Sequence, residues 1–306
     1  MKVVIAGGSG FLGRPLADAL AAQGHAILVL TRGSSSTRPN GVRLVPWTPG
    51  GESGAFAREI DGADAVVNLA GESIAGRRWS PERKRAILDS RVQATRSLTE
   101  AIVRAGRPPG VFISGSAVGY YGPHADDVVT EDTPSGSDFL ARVCQHWEAE
   151  ANNASAHTRV VCIRTGLVLS QDGGALPQML PPFKLFAGGP VGSGRQYWPW
   201  IHRDDWIALV GWAIAQSTVS GALNATAPNP VTNATFAHAL GAALRRPSLL
   251  PAPAFALRLL LGEMADALLL SGQRAIPAKA QHQRFTFQHE EISGALRAIF
   301  SGTTRS

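Results

Sequence analysis

Cysteine is scarce in this 306-residue chain, which contains only Cys144 and Cys162. The two residues form neither a CxxC pair nor any other spacing typical of a metal site. So few cysteines exclude a small secreted fold that is held together by disulfides. We therefore expect two reduced thiols in a cytoplasmic protein, and no metal site.

Lysine is also scarce, because only four of the 29 basic residues are lysine and the other 25 are arginine. The formal net charge of +6 raises the question of nucleic-acid binding. A surface that follows a phosphate backbone needs clustered charge, whereas these arginines are scattered along the chain. The densest group, at 77–85, is interrupted by Trp79, Ser80, Pro81 and Glu82. We expect no nucleic-acid partner.

Uninterrupted apolar runs of membrane-spanning length are absent as well. The N-terminal run is broken by Arg14 and Asp18, and the apolar stretch 249–270 contains charged residues such as Arg258 and Glu263. Neither stretch fits a membrane span or a signal peptide. We expect a protein with no membrane partner that binds a small molecule and is a monomer or homodimer.

Short apolar runs do occur, and they alternate with amphipathic segments in the first half of the chain. Strands are predicted at 3–6, 26–30, 42–45, 65–70, 111–114 and 160–164, with helices after the first strand and at 81–105 and 137–154. This alternation predicts an α/β fold, a Rossmann-like doubly wound parallel sheet with helices on both faces. Ligands of such sheets bind at the carboxyl ends of the strands.

The composition changes after about residue 173, where proline and glycine become frequent. We predict a Rossmann domain over 1–172, with 195–230 as a segment that can return to it. Residues 173–306 then form a smaller, mainly helical region on the substrate side. Within it, 247–300 is predicted to be helical, with helices at 255–261, 264–270 and 290–300.

A glycine-rich loop directly follows the first strand and opens a helix. It reads GGSGFLG from Gly7 to Gly13, with Gly10 at the middle position and Phe11 and Leu12 before the helix. Such glycines permit a tight turn and a close approach of backbone N–H groups to a pyrophosphate. The positive end of the helix adds a favourable field for the anion. The loop predicts a dinucleotide site.

The end of the second strand indicates which dinucleotide is bound. An NAD site usually carries an acidic residue there, whereas this chain has Thr31 and Arg32 followed by glycine and serine. A guanidinium group offers a forked cation for a 2′-phosphate. We therefore predict NADP(H); the alternative is a solvated surface arginine.

The residues that carry a family resemblance are the glycine loop and the segments 68–74, 116–122, 139–141, 147–148, 200–202, 204–205, 246–247 and 262–264. In them the chain resembles a known family, the extended short-chain dehydrogenase/reductases, and among these an atypical NADP-binding, epimerase-like branch. The resemblance covers nearly the whole chain and includes a C-terminal domain of unknown function. It implies that NADP(H) is the cofactor and that further residues contact it. These residues are Asn68, Leu69, Ala70 and Gly71 after the fourth strand, Ser114 in the fifth and Arg164 in the sixth.

The chain departs from that superfamily at its catalytic pair, Tyr-x-x-x-Lys. None of the three tyrosines is followed four residues later by lysine. Where the pair should stand, Phe139 or Leu140 replaces the tyrosine and Val143 or Cys144 replaces the lysine. Ser116 matches the substrate-orienting serine of the superfamily, and Tyr121 is the other catalytic candidate; the alternative is that Tyr121 only ends the loop.

A substrate pocket is expected beside the nicotinamide end of the site. Its candidate residues are Ser73, Trp79, Tyr120, Trp200 and His202. His202 lies near Asp204 and Asp205, a combination that can transfer protons; the alternative is that this stretch caps a helix over 206–215, with Asp204 or Asp205 as the N-cap. For the aromatic residues the alternative is an apolar core beneath a loop.

Two functions remain open at this point. The first is an NADP(H)-dependent oxidoreductase or epimerase-like enzyme that transfers hydride to a carbonyl or imine of an unidentified small molecule. The second is a non-catalytic NADP(H)-binding sensor or regulatory protein, which the missing tyrosine and lysine favour.

Overall fold

The fold is built on a central sheet of eight strands, in the order β12-β8-β6-β5-β1-β2-β4-β3. The computed structural model describes residues 1–50 and 54–301, so 302–306 of the predicted C-terminal region lie outside it. The strands are β1 (Lys2–Ala6), β2 (Ala26–Thr31), β3 (Ser36–Thr37), β4 (Arg43–Pro46), β5 (Ala65–Asn68), β6 (Val111–Ala117), β7 (Val128–Val129), β8 (Arg159–Thr165), β9 (Leu167–Leu169), β10 (Tyr197–Trp198), β11 (Trp200–His202), β12 (Gly221–Ala225), β13 (Val231–Thr232) and β14 (Arg274–Ala275).

Helices connect these strands. They are α1 (Gly13–Ala22), α2 (Ala55–Ile60), α3 (Pro81–Arg104), α4 (Phe139–Asn152), α5 (Leu176–Lys184), α6 (Arg203–Ala215), α7 (Asn233–Leu244), α8 (Ala254–Leu261), α9 (Glu263–Ala265), α10 (Ala278–His282) and α11 (Ile292–Ser301). The start of α3 follows from local chemistry, because the Ser80 hydroxyl accepts a hydrogen bond from the Arg83 N–H and proline occupies the first turn. In residues 1–50 and 54–301, no helix combines the length and apolarity that crossing a bilayer requires.

Both faces of the sheet are buried, as expected for parallel strands with helical crossovers. Val3 and Ile5 of β1 pack on one side with Leu16 of α1 and Trp206 of α6. The alternate residues of β1 pack on the other side with α3 and α4. All neighbouring pairs from β12 to β4 are parallel, so their carboxyl ends lie along one edge. This confirms the predicted Rossmann-like fold.

The C-terminal region is mainly helical and has its own apolar core, which includes Trp198, Phe236 and Leu296. Two features attach it to the rest of the fold. Strand β14 pairs with β7 in a separate two-stranded sheet, and the Lys279 ammonium donates to the carbonyls of Ser220 and Ala222 at the start of β12. Because β12 belongs to the central sheet, that sheet uses residues on both sides of position 172.

Some elements differ from the sequence prediction. The helix predicted over 264–270 is split, because α9 ends at Ala265 and Asp266–Leu270 forms a π-helical turn. Helix α5 was not predicted, because its stretch of chain contains three prolines. The helix predicted to begin at 206 begins at Arg203, and its N-cap is His202 and neither Asp204 nor Asp205.

Candidate functional site

The glycine loop after β1 is a tight cradle at the carboxyl edge of the sheet. Gly7 has φ of 78°, and a Cβ atom there would lie 2.6 Å from the Leu69 carbonyl carbon. A Cβ on Gly13 would lie 2.2 Å from the Gly7 carbonyl oxygen. Both positions therefore require glycine, and the turn brings the backbone of the loop against the segment after β5.

The other residues of the cradle have distinct positions. Gly10 donates its N–H to the Gly7 carbonyl and remains exposed, so it closes the turn. Leu12 is the N-cap of α1 and supplies no side-chain cap, which leaves the first turn available to an external acceptor. The ring of Phe11 packs against Gly173 and Gly174, where a Cβ would lie 2.7 to 2.8 Å from it. Phe11 thus joins the cradle to the chain that leaves the first domain.

The end of β2 carries cationic groups next to the cradle. The Thr31 hydroxyl accepts a hydrogen bond from the Gly33 N–H at 3.1 Å, which shapes the turn. Arg32 is exposed and extends from this turn. Both predicted residues therefore lie at the carboxyl end of β2, where the exposed guanidinium of Arg32 can meet an anion.

Sequence reasoning missed a second arginine at this edge. The short antiparallel pairing of β3 with β4 places Arg38 beside the cradle, 3.5 Å from its Nη2 to the Gly8 carbonyl. Its Nη1 atom is buried and makes no hydrogen bond with the residues that the structure describes, and Asp18 Oδ1 is 3.9 Å away. A buried donor without a partner is costly and marks a place where an acceptor fits. The sequence feature that could have indicated Arg38 is its place in a polar stretch shortly after Arg32.

The segment after β5 forms the next part of the edge. Asn68 is fully buried, donates to the Thr95 hydroxyl at 2.9 Å and accepts the Ala70 N–H at 3.1 Å. The Leu69 N–H bonds to the Ala6 carbonyl of β1. Gly71 lies against Arg91, whose guanidinium carbon would be 3.1 Å from a Cβ there. Asn68 thus holds the loop, and Leu69 to Gly71 form its outer surface.

The centre of the edge is occupied by a buried polar network that the sequence did not predict. The pairing register aligns Ser116 of β6, Arg164 of β8 and Asn224 of β12 in one row. Glu148 of α4 covers the row: it accepts a bond from the Ser116 hydroxyl at 2.6 Å and a two-pronged contact from Arg164 at 2.8 and 2.9 Å. Glu148 raises the pKa of Arg164, although burial alone would lower it.

Tyr121 belongs to the same network. Its hydroxyl donates to Asn224 Oδ1 at 2.6 Å and accepts from Arg164 at 3.0 Å. Only 1% of the residue is exposed, and burial raises the pKa of its phenol to about 12. The phenol therefore has both its partners inside the protein, and the loop-ending alternative describes Tyr121 better than a catalytic role. Ser114 is likewise fully buried within β6.

Tyr120 has a different environment from its neighbour. It is half-buried, and the Arg164 guanidinium carbon lies 3.4 Å from the centre of its ring. Its hydroxyl makes no hydrogen bond with any residue in 1–50 or 54–301. The Tyr120 hydroxyl is therefore not bonded to any described residue, while the Arg164 cation lies against the face of the ring. The attraction between the cation and the ring is electrostatically favourable.

Apolar side chains occupy the positions of the missing catalytic pair. Leu140 packs against the loop beside Tyr120, 3.3 Å from where a Cβ on Gly119 would lie. The Cys144 thiol donates to the Ala117 carbonyl at 3.7 Å. Burial raises its pKa to about 11, and the Glu148 carboxylate adds to this effect. Cys144 is therefore a buried thiol that burial keeps protonated.

Two pocket candidates, Ser73 and Trp79, lie on the segment between β5 and α3. Ser73 is exposed, and its carbonyl accepts a short hydrogen bond from Arg83. Trp79 is half-buried, donates to the Ile74 carbonyl and packs edge-on against Phe139 at 5.1 Å. The Trp79 and Phe139 rings flank the ammonium of Lys84. They form an aromatic pair around this ammonium at the start of α3.

The other two pocket candidates lie elsewhere. Trp200 is fully buried in the core of the C-terminal region, and its indole donates to the Asn229 carbonyl at 3.1 Å. This placement corrects its assignment to a pocket wall. His202 is 8% exposed and caps α6 by accepting the Asp204 N–H. The Asp204 carboxylate approaches the Nδ1 atom of His202, and this same atom accepts the Asp204 N–H. His202 therefore serves as a helix cap.

His202 gives the fold a predictable pH dependence. Its ring stacks on His289 at 3.9 Å, and burial, then the His289 charge, lower its pKa below the ordinary value of 6.5, against the opposing effect of Asp204 and Asp205. The unfolded chain then takes up the proton first. The free energy of unfolding should fall as pH drops below about 6.5, by at most about 1.4 kcal/mol per pH unit for one proton.

Urea unfolding over a pH series measures this effect. The matched variant is His202→Asn, whose side-chain oxygen keeps the cap and removes the titrating group. We expect a shallower loss of stability below pH 6.5 in the variant. Identical slopes in the two proteins would show that another group is responsible.

Comparisons with known proteins now bear on this site. A family model described as the NAD dependent epimerase/dehydratase family matches residues 3–225. The chain belongs to this family. A second model, a domain of unknown function designated DUF1731, matches 252–299 within the helical C-terminal region. The family membership confirms the resemblance to epimerase-like proteins that the glycine loop and later motifs indicated.

Relatives of the epimerase family align along nearly the whole chain. The epimerase family protein SDR39U1 homolog, chloroplastic, of Arabidopsis thaliana is 44% identical over 306 residues, covering 98% of this chain and 86% of that protein. The Bacillus subtilis epimerase family protein YfhF is 38% identical and covers 98% of each chain. The crystal structure of human epimerase family protein SDR39U1 (isoform 2) with NADPH superposes with a TM-score of 0.90 at 35% identity, covering 98% of this chain and 99% of that one.

Proposed function

We propose that this epimerase-family chain binds NADP(H) at the carboxyl edge of its sheet and reduces a carbonyl or imine group of a small molecule. The observation that carries the proposal is the glycine cradle together with Arg32 directly after β2 and Arg38 directly after β3. The residues fit the cofactor because the cradle excludes side chains and Nη1 of Arg38 is a buried donor that makes no hydrogen bond with the described residues and only a long ion pair with Asp18. The human relative that was crystallised with NADPH supports the same assignment.

Each part of the edge has a proposed task. Backbone N–H groups between Gly8 and Gly13 bind the pyrophosphate, and Arg32 and Arg38 bind the 2′-phosphate. The surface formed by Leu69, Ala70 and Gly71 supports the nicotinamide half. NADPH, when bound, supplies the hydride.

Among the residues near this edge, we assign proton donation to the Tyr120 hydroxyl. Tyr121 and Ser116 are less suited, because each hydroxyl already donates to a buried acceptor. The Tyr120 phenol is open, and Arg164 holds its ring in place from behind. Arg164 acts as a positioning residue, since it donates four hydrogen bonds to Glu148, Tyr121 and the Glu131 carbonyl.

A turnover assay tests this function. NADPH oxidation is followed by absorbance over a panel of aldehydes, ketones and imines. We expect Tyr120→Phe to lower kcat by about 100-fold, the range of general acid catalysis, with NADPH affinity retained. The matched control is Tyr197→Phe, a half-buried tyrosine beside Arg274 in the C-terminal region, which should leave kcat unchanged.

The second candidate is a non-catalytic NADP(H)-binding sensor. It is favoured by one observation, that the positions of the catalytic pair hold apolar or inert side chains while Ser116 and Tyr121 are bonded inside the protein. Tight NADPH binding without oxidation over the whole panel would support it. A cytoplasmic location, the expected monomer or homodimer and the division of the chain at 172 stay predictions.

A further inference from the structure

Helix α8 and two loops beside it expose an unusual amount of apolar side chain. Leu185, Phe255 and Leu259 are 77%, 74% and 79% exposed, and no residue of α8 is buried. The charged residues within 249–270 exclude a membrane-spanning helix there, so such a span does not account for the exposed apolar side chains. We name these side chains the apolar surface; it consists of Leu185, Phe186, Leu249, Leu250, Phe255, Leu259 and Leu260.

The parts of the apolar surface adjoin one another. The Leu250 N–H bonds to the Gly188 carbonyl, and Val191 pairs with Ala252 directly before α8. Phe255 and Leu259 are one helical turn apart and so lie on the same side of α8. Soluble proteins rarely expose large contiguous apolar patches, and such patches mark sites of interaction.

The segments that carry the apolar surface contain charges of one sign, and the carboxylates that follow α8, Glu263 and Asp266, pair with Lys84 and Arg258. The two segments that carry it, 184–187 and 245–260, contain Lys184, Arg245, Arg246 and Arg258 and no carboxylate. The Arg246 guanidinium lies 4.6 Å from the Phe186 ring, so cation and apolar group are in contact. Arg258 pairs with Asp266 from outside these segments. The surface is therefore apolar with a cationic rim.

We propose that the apolar surface docks onto the headgroup layer of an anionic phospholipid membrane. An exposed apolar helix face with basic neighbours binds such interfaces by inserting leucine and phenylalanine while lysine and arginine contact lipid phosphates. A second copy of the chain is a poorer occupant, because pairing the surface with itself would bring two cationic rims together. The inference concerns docking at the membrane surface and does not depend on NADP(H) binding.

Co-sedimentation with lipid vesicles tests the proposal on the full chain. We expect binding to vesicles of phosphatidylcholine mixed with phosphatidylglycerol, little binding to phosphatidylcholine alone, and release by high salt. Phe255→Ser combined with Leu259→Ser should weaken binding by about tenfold or more. The matched control is Val103→Ser, an exposed apolar residue at the end of α3, which should bind as the parent does.

A second pair of variants separates the contributions of charge and apolar contact. Arg245→Ala with Arg246→Ala should reduce the preference for anionic lipid. All of these residues are exposed, and an unchanged thermal midpoint shows that each variant is folded. Equal binding to both vesicle types, absence of binding to either, or a stable dimer in light scattering that Phe255→Ser and Leu259→Ser dissociate would each overturn the proposal.

Discussion

Replacing Arg164 by methionine should lower the free energy of unfolding by about 3–5 kcal/mol, the cost of breaking a buried ion pair on one side. The side chains of Arg164 and Glu148 are 5% and 10% exposed. Without Arg164, the Glu148 carboxylate would keep only the Ser116 hydroxyl as a partner in this network. The buried charge would then be uncompensated, and Tyr121 would also lose a donor. Chemical denaturation of the parent and the variant measures the difference.

Two matched variants make this result specific. Arg96→Met removes the same residue type from an exposed pair with Glu150 and should cost at most about 1 kcal/mol. Adding Glu148→Gln to Arg164→Met removes the buried charge and should restore part of the stability. A loss in Arg164→Met no larger than that in Arg96→Met would show that the network does not stabilise the fold.

Replacing both Arg32 and Arg38 by alanine should weaken NADPH binding by about 100-fold and leave NADH binding nearly unchanged. Hydrogen bonds to charged groups contribute about 1.5–3 kcal/mol each, and each factor of ten in affinity needs about 1.4 kcal/mol. Only NADPH carries the 2′-phosphate that these two groups are proposed to bind. The double variant should therefore lose the preference for NADPH specifically.

The control for this experiment is Arg14→Ala, an exposed arginine on α1 that pairs weakly with Asp18. It should leave both affinities unchanged. The single variants measure separately how much Arg32 and Arg38 contribute to NADPH affinity. Arg32 was predicted from the sequence, whereas Arg38 was found only in the structure. Parallel losses for NADPH and NADH would assign the arginines to the shared parts of the two dinucleotides.

The sequence predicted the cradle well because its geometry is local. Gly7 and Gly13 are required by contacts within one turn and with the adjacent segment after β5. The order of apolar runs likewise predicted the parallel sheet. Arg38 was not predicted, because its position depends on the antiparallel pairing of β3 with β4. Strand β3 has only two residues, which is too short for a periodic pattern of apolar residues.

The polar network was beyond sequence reasoning for a different reason. Ser116, Arg164 and Asn224 are far apart in the chain and meet only through the pairing register of β6, β8 and β12. A single sequence does not give that register. The same contacts explain why Tyr121, a reasonable catalytic candidate from its loop, is a structural phenol. Trp200 was assigned to the pocket because it is aromatic, but aromatic residues are equally common in a buried core, where Trp200 lies.

The central claim is that the carboxyl edge of this sheet is built for a dinucleotide with a 2′-phosphate. The most direct test is titration of the unmodified protein with NADPH and with NADH under the same buffer conditions. The proposed contacts of Arg32 and Arg38 predict that NADPH binds about 100-fold more tightly. Equal dissociation constants for the two nucleotides, or no binding of either, would contradict the claim.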